Sequence, residues 1–137
     1  MDWMMHRIFP RLAILAFLVP LAGCLTGTNM ASLSPSSAGV AALGDGLIGR
    51  AEGVDLSRSA KAQALEAEYQ ALQFGIAGQP VPWTGEGVSG QVVPTQLYRV
   101  GSQDCRGYSH TVVSGAQSVK ETGTACRTSP GVWTPVA

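Results

Sequence analysis

The chain has 137 residues, with nine Lys and Arg against nine Asp and Glu. A neutral chain without a block of like charge offers no electrostatic footprint for nucleic acid. Only 13% of residues are charged, while 17 are Gly and 8 are Pro. That balance disfavours a helical bundle and suits a turn-rich β domain behind a flexible leader.

Met1 to Gly23 has the layout of a secretory signal. His6, Arg7 and Arg11 supply a basic region, and Leu12 to Leu21 an apolar one. At about 10 residues the apolar run is too short to span a membrane as a helix, which takes roughly 20. Leu21-Ala22-Gly23-Cys24 follows at once and resembles the bacterial lipobox. The chemistry implied is a diacylglyceryl thioether on the Cys24 sulfur, cleavage after Gly23, and acylation of the new amine. Each buried CH₂ contributes about 0.8 kcal/mol, and stable anchoring takes more than one acyl chain. A chance cysteine behind a plain signal peptide would not need this order of basic, apolar and small residues. Leu25, where Asp would signal retention by resemblance to enteric sorting rules, points to the outer membrane. Loss of Asp2, Arg7 and Arg11 with the leader leaves seven basic and eight acidic residues.

Residues 24–54 are rich in Ser, Gly and Ala and read as a lipidated tether. Gly39, Gly44, Gly46 and Gly49 stand among apolar residues. Such density allows close helix contact in lipid. The stretch is short and Asp45 interrupts it, so a spacer or a surface-lying segment is the plainer reading. A domain is then expected over 55–137.

Asp55 to Gln73 predicts a helix, capped by Asp55 or Ser57 and stopped near Gly75. Ala62, Leu65, Tyr69 and Leu72 form its apolar stripe, with Glu66 and Glu68 falling away from it. Packing on the domain's own sheet is a more economical use of that stripe than binding a partner. Strands follow: Val81-Pro82-Trp83, with Pro82 marking an edge; Ser89 to Val100, interrupted by Pro94; Cys105 to Val113; Ser118 to Arg127; and a last one opened by Val132-Trp133. Turns are expected at Gly85 and Gly87, at Gly101 to Asp104, and at Ser129-Pro130-Gly131. The fold class is α+β, mostly β: one helix on a small antiparallel sheet of four or five strands, behind a tether.

The hairpin at Ser114-Gly115-Ala116-Gln117 predicts its own cross-link. If Gly115-Ala116 is a two-residue loop with Gly at a φ > 0 position, facing residue numbers sum to 231. Cys105 and Cys126 then stand opposite each other, as do Val112 and Val119, His110 and Glu121, and Tyr108 and Gly123. The cysteines fall at a non-hydrogen-bonded pair, where Cα atoms approach to about 4.5 Å, within disulfide reach. A loop of roughly 20 residues makes the bridge worth about 3 kcal/mol. With Cys24 lipidated, no cysteine is left over. The alternative is free cysteines or a bridge to another chain.

Catalytic and metal chemistry find little support. His6 leaves with the leader, and His110 alone cannot build a histidine-rich metal site; no Cys-x-x-Cys is present. Ser109 and His110 are strand neighbours and point to opposite faces. A cross-strand pairing of His110 with Glu121 is therefore expected instead of a Ser-His-Asp site. No P-loop is present. Trp83, Tyr98, Tyr108 and Trp133 are expected in the core instead of lining a ligand groove. No enzyme activity, cofactor, metal or small-molecule substrate is expected.

The ordered runs Gly78-Gln79-Pro80-Val81 with Trp83, Ser89-Gly90 before Pro94-Thr95, Cys105-Arg106 with Tyr108, and Gly123-Thr124-Ala125-Cys126-Arg127 before Gly131 and Trp133 resemble the rickettsial 17-kilodalton surface antigen family. Ala64-Leu65-Glu66 to Gly75 and the lipobox complete the pattern, which covers about 61–137 and the leader. The resemblance implies an outer-membrane lipoprotein, facing the surface or the periplasm, often antigenic and without established catalysis. Its expected partners are the membrane, through lipid on Cys24, and an envelope protein or further copies of itself. Members often carry a double glycine-zipper segment, here shortened to about 39–49. A lipid-anchored protease inhibitor is the reading from another functional class.

Overall fold

The computed structural model describes residues 35–128 and 131–136. The leader and Cys24, and the Ser129-Pro130 part of the last turn, lie outside them. Two helices, α1 (Pro35–Ala42) and α2 (Arg58–Phe74), precede strands β1 (Val81–Gly85), β2 (Val88–Val100), β3 (Gln103–Ser114), β4 (Gln117–Thr128) and β5 (Thr134–Val136). Among the described residues the strands form one antiparallel sheet in the order β1-β2-β3-β4-β5. The α+β, mostly β expectation holds.

Ser57 caps α2: its backbone is extended and its hydroxyl accepts from the Ala60 N–H at 3.1 Å. This satisfies one of the donors a helix start leaves open. Gly75 closes the helix, but with φ −64° and ψ 148°. It is an extended exit and not the left-handed cap that a terminal glycine commonly supplies. The buried face also differs from the expected stripe. Ala62 is exposed, while Ala60, Ala64, Ala67 and Ala71 are buried with Glu68, Tyr69 and Leu72. A ridge of alanines brings the helix axis close to the sheet. The cluster it joins holds Trp83, Val88, Val92, Tyr108, Val112, Ala125 and Trp133.

Alternation assigns the sheet faces. On β3, Arg106, Tyr108, His110 and Val112 are buried beneath α2. Register fixes their neighbours: Val92 and Glu121 flank His110, and Pro94 and Gly123 flank Tyr108. A register shift between Pro94 and Leu97 inserts an extra residue into β2, at the proline that cannot donate to the ladder. Pro82 lies on edge strand β1, as its chemistry requires. The turn after β2 is confined to residues 101–102, and Asp104 is already in β3. The last strand starts at Thr134, just past Trp133.

The hairpin register is the expected one. Ser114 pairs with Gln117, Cys105 with Cys126, and Gly115 has φ +60°. The packed unit also extends N-terminally of residue 55. Leu43, Leu47 and Ile48 are buried in the same core, with Val40, Ala51 and Val54 packed against it. Gly46 has φ +61°, and a Cβ there would overlap the Glu68 carboxyl. Leu47 reaches across to β4, where Gly123 leaves it room.

Candidate functional site

The polar interior is organised around Glu68, which the alanine ridge of α2 delivers into the core at 0% exposure. Its Oε1 accepts from the Ile48 N–H at 2.9 Å and its Oε2 from the Leu47 N–H at 3.1 Å. His110 Nδ1 lies 2.7 Å from Oε1, and the Trp83 indole donates to His110 Nε2 at 2.7 Å. An indole nitrogen is a donor only. Nε2 is therefore the accepting nitrogen, and the imidazole proton sits on Nδ1, donated to Glu68. The sequence places His110 opposite Glu121, and the Cα register agrees. The hydrogen bond, however, is made to Glu68, because His110 is buried under α2. The resulting chain runs from Trp83 through His110 and Glu68 to two backbone N–H groups of the 43–48 segment.

This arrangement resembles a catalytic carboxyl–histidine pair in half its geometry only. A general base needs a free Nε2 within reach of the proton it removes, and here the indole occupies it. Ser109, the adjacent hydroxyl, points to the opposite sheet face. What the network does is mechanical. Buried polar groups are costly unless satisfied, so Glu68 selects the one conformation of residues 46–48 that offers two N–H groups to it.

Arg106 is a further buried charged group, 5% exposed. Its Nη1 donates to the carbonyls of Ala71 and Leu72 at 3.2 and 3.1 Å, its Nη2 to Gly75 at 2.5 Å, and its Nε to Thr95 at 2.8 Å. The α2 carbonyls belong to its last turn, where a helix leaves acceptors open and favours positive charge. Burial, followed by the charge of Arg127, lowers the Arg106 pKa from its ordinary value. One guanidinium thus ties the helix end to the bulge in β2. Arg127 makes a companion contact, stacking 4.6 Å over Trp133 and donating to Gln73 Oε1, which also accepts from the Trp133 indole.

Cys105 and Cys126 form the expected bridge, with Cα atoms 4.1 Å apart, on the sheet face away from α2. Each cysteine therefore points outward while the arginine after it points inward. Tyr108 is buried, and its hydroxyl has no hydrogen-bond partner among the described residues. Burial, then the Glu68 charge, raises its phenol pKa well above the usual range, partly offset by Arg50.

Trp83, Tyr108 and Trp133 lie in the core as expected, but Tyr98 is 48% exposed. An open groove of about 560 Å³ is lined in part by Gly78, Thr95, Gln96, Gly107, Ser109 and Thr122. None of its lining side chains is charged. Among the described residues no three His, Cys, Asp or Glu are gathered for a metal, and no helix is long and apolar enough to cross a membrane. Sequence reasoning missed Glu68 and Arg106. The available signal for Glu68 was its place in the alanine row. For Arg106 it was an inward strand position between Tyr108 and Asp104.

Fold and interior together define a small helix-on-sheet domain, braced by the Cys105–Cys126 disulfide and wired internally by the buried side chains of Glu68, His110 and Arg106. The chain is similar to the 17 kDa surface antigens of Rickettsia. It is 39% identical to that of Rickettsia bellii (strain RML369-C) over 67 residues, 47% of this chain and 42% of the relative. The Rickettsia felis antigen gives the same identity and coverage, and that of Rickettsia prowazekii (strain Madrid E) 36% over 67 residues. The chain spans less than half the length of these curated relatives. No protein-family model and no solved structure matches it.

Proposed function

We propose that the chain is the precursor of an outer-membrane lipoprotein of the surface-antigen type, anchored by lipid on Cys24, with a structural or interaction role in the envelope. The observation that carries this reading is the order of basic residues, a short apolar run and Leu21-Ala22-Gly23-Cys24 at the N-terminus. The similarity to proteins named surface antigens supports a place at the cell surface or envelope. The bridge between Cys105 and Cys126 accords with an oxidising compartment. A non-catalytic role is supported by the way His110 spends both ring nitrogens inside the core.

The anchor is tested by replacing Cys24 with Ser in the full chain and fractionating cells. The native protein is expected with the outer membrane and the variant in the soluble periplasm or as an unprocessed precursor. Identical outer-membrane recovery of both would overturn the anchor. Protease treatment of intact cells then tells which side the domain faces.

A further inference from the structure

β2 is longer than the strand beside it. β1 pairs with Val88–Val92 only, and the Gly78 N–H closes the next step by donating to the Pro94 carbonyl at 2.8 Å. From Gln96 to Val100 no described strand covers that side of β2, while β3 pairs with the other side. Val100 and Gln103 flank a two-residue turn, so they form the hydrogen-bonded pair that closes it. Antiparallel alternation then directs the N–H and C=O groups of Leu97 and Arg99 outward, into the open edge.

Exposed apolar side chains gather along this edge: Leu97 at 54%, Tyr98 at 48% and Val100 at 55%, with Ile76 at 64% in the loop before β1. The one charge in the run, Arg99, is held within its own chain by Asp104 at 3.0 Å. An apolar edge whose charge is already neutralised lacks the usual guard against pairing.

We propose that the Gln96–Val100 edge pairs with the same edge of a second copy, making a two-fold dimer with one continuous sheet. The pattern is self-complementary. The two outward-facing residues straddle Tyr98, so a two-fold axis at Tyr98 sets Leu97 of each copy opposite Arg99 of the other. Each such pair exchanges two backbone hydrogen bonds, and the two Tyr98 side chains meet as the cross-strand pair between them. The two Arg99 charges lie diagonally, each beside its own Asp104.

Area points to a weak association. An aromatic side chain such as Tyr98 buries roughly 150–250 Å² when fully covered, and Leu, Ile and Val less. At about half exposure the four residues offer on the order of 400 Å² per copy. Two copies, with the main chain of both edges, reach about 1,000 Å², the lower bound for a specific interface. Confinement to a membrane surface would raise the effective concentration.

The test uses the full chain, purified from whichever cell fraction holds it, in sedimentation equilibrium across roughly 1–500 μM, the range where an interface near that bound dissociates. A reversible dimer is expected. Leu97→Pro removes an N–H that the monomer does not use and is expected to sediment as monomer. Because a proline variant can fail to fold, a second measurement accompanies it. Tyr98→Cys is expected to form an intermolecular disulfide under mild oxidation, since its Cα atoms approach to about 4.5 Å across the axis. Val113→Cys, similarly exposed on the same outer face but on β3, serves as the control. A native chain that stays monomeric, a folded Leu97→Pro that still dimerises, or a Tyr98→Cys that cross-links no better than Val113→Cys each overturns the proposal. Monomeric behaviour would leave the edge to another segment of the chain or to a foreign strand.

Discussion

Replacing Glu68 by Ala is the most informative perturbation of the interior. The carboxyl accepts from Leu47, Ile48 and His110, all within 3.1 Å, and is fully buried. Its removal strands two backbone N–H groups and the His110 Nδ1–H. A buried donor left without a partner costs about 1–3 kcal/mol. Relaxation of the 46–48 segment recovers part of the sum over these three donors, which gives a loss of about 4 kcal/mol. Single domains are stable by about 5–15 kcal/mol, so most of the margin goes. In urea, followed by tryptophan fluorescence, a slope of about 2 kcal/mol/M turns the loss into a midpoint shift of roughly 2 M. Glu68→Gln keeps one oxygen but turns an NH₂ toward a donor, and is expected to lose about half as much. Glu66→Ala is the control. Its bond to Gln70 at 2.8 Å joins positions one helical turn apart outside the core network, worth about 0.2–0.5 kcal/mol. If Glu68→Ala and Glu66→Ala shift the midpoint equally, the network carries no stability.

Arg106→Lys keeps the charge but cannot fork to four carbonyls. It should cost about 2–3 kcal/mol and raise amide exchange in the last turn of α2; exchange unchanged from the native protein would contradict the clamp. Tyr108→Phe removes a hydroxyl that has no partner among the described residues and should stabilise by about 1 kcal/mol; a loss of that size would instead reveal a partner for it. The folded Tyr108 pKa lies above the unfolded value of about 10. The neutral phenol's contribution is therefore complete below that pH and declines as pH rises past it. An alkaline titration at constant temperature should show one tyrosine ionising only with unfolding, and Tyr108→Phe should abolish that component. Replacing both Cys105 and Cys126 by Ala should lower stability by about 3 kcal/mol for a loop of this length; a change under 1 kcal/mol in chemical denaturation would refute the bracing role.

The sheet was legible because its signals are local. A glycine at the head of a two-residue turn fixes register, and register fixes which residues face each other, so the bridge and every β3–β4 pair followed from Gly115. Pro82 and Pro94 marked an edge and an irregularity for a single reason, the missing N–H. The core was less legible because it rests on long-range contacts. The hydropathy stripe through Ala62 and Leu65 scored side-chain size, whereas the helix approaches the sheet through its smallest residues. That ridge carries Glu68 inward against its own hydropathy. Its N–H donors lie 20 and 21 residues earlier in the chain and its histidine 42 later. Gly39 to Gly49 looked like a spacer by composition. Leu43, Leu47 and Ile48 enter the core, and Glu68 gives the Leu47 and Ile48 N–H groups a place to bond there. Arg106 looked like one basic residue among many until the helix end it caps was in view.

Intact mass of the mature protein from the outer-membrane fraction tests together the lipid proposed on Cys24 and the bridge between Cys105 and Cys126. The predicted result is a chain beginning at Cys24, heavier than its sequence by two or three acyl chains, that gains the mass of two hydrogens on reduction, one disulfide's worth. An unlipidated chain, or one that still begins at Met1, would contradict the anchor, and no mass gain on reduction would contradict the bridge.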